Sequence, residues 1–180
     1  MNIVQIAILL VFIIYHAFNI YTDCKYRKTK NWWHLWFLFI GFSIFFAQGY
    51  SPWYKPFAAL GVIFVIGILL EMFRQSSPGD TKMLMVSAVF MTSLVPKSHF
   101  IHVAVGIVVF HILFFALYTY FFLFKKKGVF NTFREQWITV KSILIPGLPI
   151  DKTKIFEHFP GATTIVSGGI LYYILFNFVL

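Results

Sequence analysis

Apolar residues gather in six runs separated by short polar or basic stretches, roughly Ile3–Tyr21, Trp33–Gln48, Phe57–Phe73, Met83–Val95, Phe100–Phe124 and Ala162–Leu180. A helix needs about 20 apolar residues to cross a hydrocarbon core about 30 Å thick. Open sheet edges have no place against lipid, so these runs read as helices. Between the last two runs the pattern changes. Phe130, Phe133, Trp137, Val140 and Leu144 recur at steps of three and four, with Arg134, Glu135 and Lys141 off that stripe. This predicts an amphipathic helix lying on the membrane surface, ended by Ile145-Pro146-Gly147-Leu148-Pro149. The expectation is an all-α, polytopic membrane protein. It has about six transmembrane helices, a cytoplasmic-side amphipathic helix before the last span, and one domain over residues 1–180 with no separate soluble part.

Composition narrows the class further. Hydrophobic residues make up 59% and charged residues 12% of the 180, where a soluble domain has about a quarter charged. An ordinary soluble globule, a disordered chain and a disulfide scaffold are excluded. The single Cys24 leaves no internal disulfide and no multi-cysteine zinc site. The first apolar run lacks a basic leader and a small-residue cleavage site, and is read as a span rather than a removed signal peptide.

The net charge of +9 points to orientation rather than to nucleic acid. Thirteen of the 15 basic residues fall in odd-numbered connections, beginning with Lys25, Arg27, Lys28 and Lys30; only Lys55 and Lys97 lie in even ones. The positive-inside rule then places the chain in the cell membrane with both termini outside and the odd connections in the cytoplasm.

Carboxylates near hydrocarbon are costly and demand a reason. Of only three aspartates, Asp23 ends the first run and Asp80 precedes the fourth, both on the cytoplasmic side; the third is Asp151. Pro96 lies 16 residues beyond Asp80, about 24 Å of helix, which sets Asp80 a few ångströms inside the inner boundary. Each also has a local reading: Asp80 as the N-cap of the fourth helix, Asp23 as an interfacial charge beside lysines. Glu71 is expected to pair with Arg74 at i,i+3.

The segment from Asp23 through Lys25, Arg27, Lys28 and Lys30 to Asn31 resembles the first catalytic motif of the type IV prepilin peptidases. Ser77-Pro78-Gly79-Asp80-Thr81-Lys82-Met83 is similar to that family's GxGD motif, with Ser77 in place of the first glycine. His158-Phe159-Pro160-Gly161-Ala162 resembles the Pro-Gly start of its last helix. With one cysteine, the chain looks like the compact, peptidase-only forms that serve preflagellins and tight-adherence pili, without N-methyltransferase activity.

The resemblance implies an aspartic endopeptidase with Asp23 and Asp80 as catalytic residues, and Gly79, Lys82 and Asn31 binding substrate or positioning the loops. Its partners are a prepilin-like precursor with a short hydrophilic leader and the lipid bilayer; it needs no metal and no cofactor. Local alternatives for the supporting residues are snorkelling for Lys82 and capping of the second helix for Asn31. Helix dipoles assign Asp80, at a helix N-terminus, as the ionised base and Asp23, at a C-terminus, as the protonated partner. No nucleophile elbow and no HExxH pattern competes, and the six histidines read as structural. Two other functions fit a small polytopic chain with membrane carboxylates: a proton-coupled transporter and an inactive membrane assembly factor.

Overall fold

A computed structural model describes residues 3–26, 29–72, 76–144 and 161–179. They form seven α-helices: α1 (Ile3–Tyr26), α2 (Asn31–Ala47), α3 (Lys55–Met72), α4 (Pro78–Leu94), α5 (Phe100–Lys127), α6 (Val129–Leu144) and α7 (Gly161–Ile174), which runs into a π-helical turn at Leu175–Val179. No strand occurs among the described residues. The break expected at Ile145–Pro149, the residues Arg27, Lys28, Arg74, Lys152 and Lys154, and the His158–Pro160 part of the third motif lie outside the described residues.

Helices α1, α3 and α5 are long and apolar enough to cross a membrane, and α2 and Gly161–Asn177 are shorter but apolar. These are the features of a membrane-embedded protein. Large side chains such as Leu10, Ile14, Phe39, Phe64 and Val109 point outward, as lipid-facing surfaces require.

The chain divides into two compact units, Met1–Ile112 with Pro160–Leu180, and Leu113–Phe159. In the first, α4 is the central element, packed against α1, α2, α3 and α7. From Val86 to Val95 every residue of and just after α4 is buried. That position explains its sequence. A helix shielded from lipid by its neighbours need not be uniformly apolar, so α4 carries Thr81, Ser87, Thr92 and Ser93, all buried. Small residues let the backbones approach. A Cβ on Gly67 of α3 would run into Thr81, whose hydroxyl instead reaches across to donate to Glu71. Glu71 therefore has a partner on α4, while its expected pairing with Arg74 lies outside the described residues.

In the second unit, α6 is the helix that the Phe130–Leu144 stripe predicts. Phe133 stacks on Tyr120 and lies against Phe124, while Phe130, Trp137 and Ile138 stay exposed. Exposed bulky apolar residues on one amphipathic helix suit contact with a lipid surface.

Candidate active site

α1 buries Ile8, Phe12, Tyr15, His16, Asn19 and Thr22, a stripe at steps of one, three and four. Continued by one residue, that face brings Asp23 to the edge of the packed interior. Asp23 does not follow the helix, as the apolar run suggests; it lies inside the last turn, because α1 runs on to Tyr26.

Asp80 is held from the other side. Ser77, in an extended conformation at φ −93° and ψ 158°, is the N-cap of α4, with Pro78 at the first helical position. Its backbone N–H donates to Asp80 Oδ2 at 3.0 Å, its hydroxyl donates to the same oxygen at 2.8 Å, and Asp80 N–H donates back to Ser77 Oγ at 3.3 Å. This is a capping box with Asp at the third position. The expectation that Asp80 itself is the N-cap is therefore corrected: Ser77 caps, and Asp80 completes the box.

All five residues singled out in the sequence, Asp23, Asn31, Gly79, Asp80 and Lys82, line one open polar cavity of about 270 Å³, together with Thr29 and Ser77. Lys82 and Asp80 are two residues apart and point to different sides of a long helix, yet at its first turns both reach the cavity. Lys82 Nζ donates to Asn31 Oδ1 at 2.8 Å, tying α4 to the start of α2. Lys30 occupies the N-cap position of α2 without a side-chain cap bond, so Asn31 is the first helical residue and spends its side-chain oxygen on Lys82. The capping alternative for Asn31 does not hold.

The first turn of α7 contacts both aspartates. Ala162 N–H donates to Asp23 Oδ2 at 3.3 Å. Its neighbour Gly161 packs on the other carboxylate: a Cβ there would overlap Oδ1 of Asp80 and come within 2.6 Å of its Cγ. Glycine is required by this close approach, not by an unusual backbone angle. The two aspartates, 57 positions apart in the chain, are thus both in touch with the first turn of the same helix. The backbone N–H groups and the dipole at that turn favour negative charge. The assignment of charge from each aspartate's own helix loses its basis here, because Asp23 ends α1 but also sits on the N-terminus of α7.

A second tier of polar pairs lies one to two turns below the cavity. Tyr15 Oη and His34 Nδ1 are 2.7 Å apart, Ser87 Oγ and His16 Nε2 3.1 Å, and Thr164 Oγ1 and His111 Nδ1 2.9 Å. These histidines join buried helices through hydroxyls. Among the described residues no group of three or more His, Cys, Asp or Glu is arranged to hold a metal ion.

Ser77, Thr29, Gly161 and Ala162 join the site beyond the five residues singled out in the sequence. Ser77 carried a usable signal, since Ser-x-x-Asp ahead of an apolar run is a capping-box pattern. Gly161 and Ala162 carried only their place in the Pro-Gly segment that resembles the start of the family's last helix, and their meeting with the aspartates depends on how α7 packs.

Chemically, two carboxylates at the mouth of a polar cavity can divide acid and base work. One takes a proton from water as its oxygen attacks a carbonyl carbon, and the other gives a proton to the carbonyl oxygen. Collapse of the tetrahedral intermediate moves a proton to the departing nitrogen and breaks the C–N bond. No family model matches this chain, and neither a curated protein nor a solved structure matches it significantly.

Proposed function

We propose that this chain is a membrane-embedded aspartic endopeptidase that removes the short hydrophilic leader of prepilin-like or preflagellin-like precursors at the cytoplasmic membrane face. The observation that carries the reading is the shared cavity. Asp23 and Asp80, from segments that resemble the two prepilin peptidase motifs, line it together with Lys82 and Asn31 from the same motifs. The reading uses six spans, α1 to α5 and α7, with both termini outside; this puts the ends of α1 and α3 and the starts of α2, α4 and α7 at the cytoplasmic side. A precursor's apolar helix then stays in the bilayer while its leader reaches the cavity. The protein works without metal or cofactor and without N-methyltransferase activity.

The test is direct. Purified protein in liposomes, given a precursor with a Gly-ended leader of a few polar residues, is expected to release that leader, seen as one new N-terminus by mass spectrometry. An unchanged precursor across several pilin-like and flagellin-like substrates counts against the reading.

One observation favours a second reading, a small proton-coupled transporter. Buried polar side chains continue along α4 beyond the site, at Ser87, Thr92 and Ser93, and Lys55 is buried near its far end with Nζ donating to Pro96 O. Intramembrane polar residues mark ion paths as well as proteases. Proton flux through the same liposomes, read with an internal pH dye, separates the two.

A further inference from the structure

The serine that stands where the resembled motif has glycine makes contacts that glycine cannot. We propose that Ser77 is a positioning residue for Asp80, holding one oxygen of its carboxylate so that the other serves as the proton acceptor of the pair. The inference rests on the aspartic dyad reading and deepens it.

Ser77 gives Asp80 Oδ2 two donors, the backbone N–H at 3.0 Å and the hydroxyl at 2.8 Å. Both come from one residue fixed by the helix cap, so Oδ2 has a set orientation. Oδ1 is then the oxygen turned toward Gly161 and the first turn of α7, which also binds Asp23. A carboxylate that accepts donors is favoured in its charged form. The surrounding groups work in both directions. Asp23 on α1 and Glu71 on α3, the latter bonded to the adjacent Thr81, oppose charge on Asp80, whereas Lys82 on its own helix favours it. α2 offers Asn31, the preceding loop Thr29, and α7 Gly161 and Ala162, none of which titrates. Ser77 therefore supplies two donors that favour the charged form of Asp80, against burial and Glu71, which oppose it.

The test compares Ser77→Ala, Ser77→Gly and Ser77→Thr with the wild type. Glycine is a fair N-cap, so Ser77→Gly removes the hydroxyl with little loss of helix stability. Two readouts are taken: the pH profile of precursor cleavage, and the carboxyl titration by ¹³C NMR of aspartate-labelled protein. Only three aspartates exist, so Asp80→Asn assigns its signal. Loss of a hydrogen bond to a charged group is expected to move both the acid limb of the profile and the Asp80 titration up by about one pH unit in the Ala and Gly variants. Ser77→Thr is expected to keep the wild-type values. Superimposable titrations, with only thermal stability or overall rate lowered, overturn the proposal and leave Ser77 as a helix cap. The NMR readout needs no substrate. A shifted Asp80 titration in a protein that cleaves nothing sinks the peptidase reading while leaving Ser77's hold on Asp80 standing.

Discussion

Replacing Gly161 by alanine adds one methyl group where α7 meets Asp80. At the present backbone position that carbon would lie 2.6 Å from Asp80 Cγ and 2.8 Å from Oδ2. Carbon atoms rest at roughly 3.5–4.0 Å, so the carboxylate or the start of α7 has to move by about 1 Å. The capping box resists movement of Asp80, and the Ala162–Asp23 bond resists movement of α7. Either way the relation between the two carboxylates changes. A misplacement of about 1 Å costs on the order of 100-fold in rate when catalysis depends on fixed geometry. Alanine is meanwhile the better helix former by up to about 1 kcal/mol, less at a first helical position. The expected outcome is a variant with unchanged or slightly raised thermal stability and cleavage reduced about 100-fold. Steady-state cleavage of a leader-bearing precursor, measured beside a thermal melt in the same detergent, checks both halves. Wild-type cleavage by Gly161→Ala would refute the claim that α7 sets the geometry of Asp80. A large loss of thermal stability would show that the methyl group disturbs the packing rather than the site alone.

Two further outcomes follow from the same geometry. Lys82→Met and Asn31→Leu remove the two ends of one hydrogen bond between α4 and α2. Their effects on cleavage and stability should be non-additive, with a coupling of about 0.5–1 kcal/mol in a double-mutant cycle, since the double variant loses nothing that each single variant kept. Cys24 is the only cysteine, is exposed and adjoins Asp23, so it reports sidedness. A membrane-impermeant maleimide should label it in inverted vesicles and leave it unlabelled in intact spheroplasts; the reverse pattern contradicts the orientation drawn from the basic residues.

Much of this architecture is legible in the chain because hydrophobic length alone marks a helix that meets lipid. The apolar runs match α1, α2, α3, α5 and α7 to within a few residues at most ends. α4 was legible for a different reason: its polar serines and threonines shorten the apolar run, and its central place among four helices is what tolerates them. The site residues were legible as far as two short motifs carry them. Their hydrogen bonds were not. Asn31 reads as a helix cap until Lys82, 51 positions away, is seen to take its oxygen. Asp23 reads as a residue at an unfavourable helix end until the N-terminus of α7 is seen against it. Both depend on contacts between distant segments, which local pattern does not encode. Ser77 is the opposite case, a local capping box written in four consecutive residues.

The proposed peptidase activity requires the two aspartates to act as one catalytic unit. The most direct measurement compares precursor cleavage by the wild type, Asp23→Asn, Asp80→Asn and the double variant, each purified, shown folded by its thermal melt, and reconstituted in the same lipid. Residues that act as a unit are grossly non-additive. Each single variant is therefore expected to lose about 1,000-fold or more in kcat/KM, and the double variant to lose little beyond that. Substantial cleavage by either folded single variant would contradict the dyad and, with it, the proposed function.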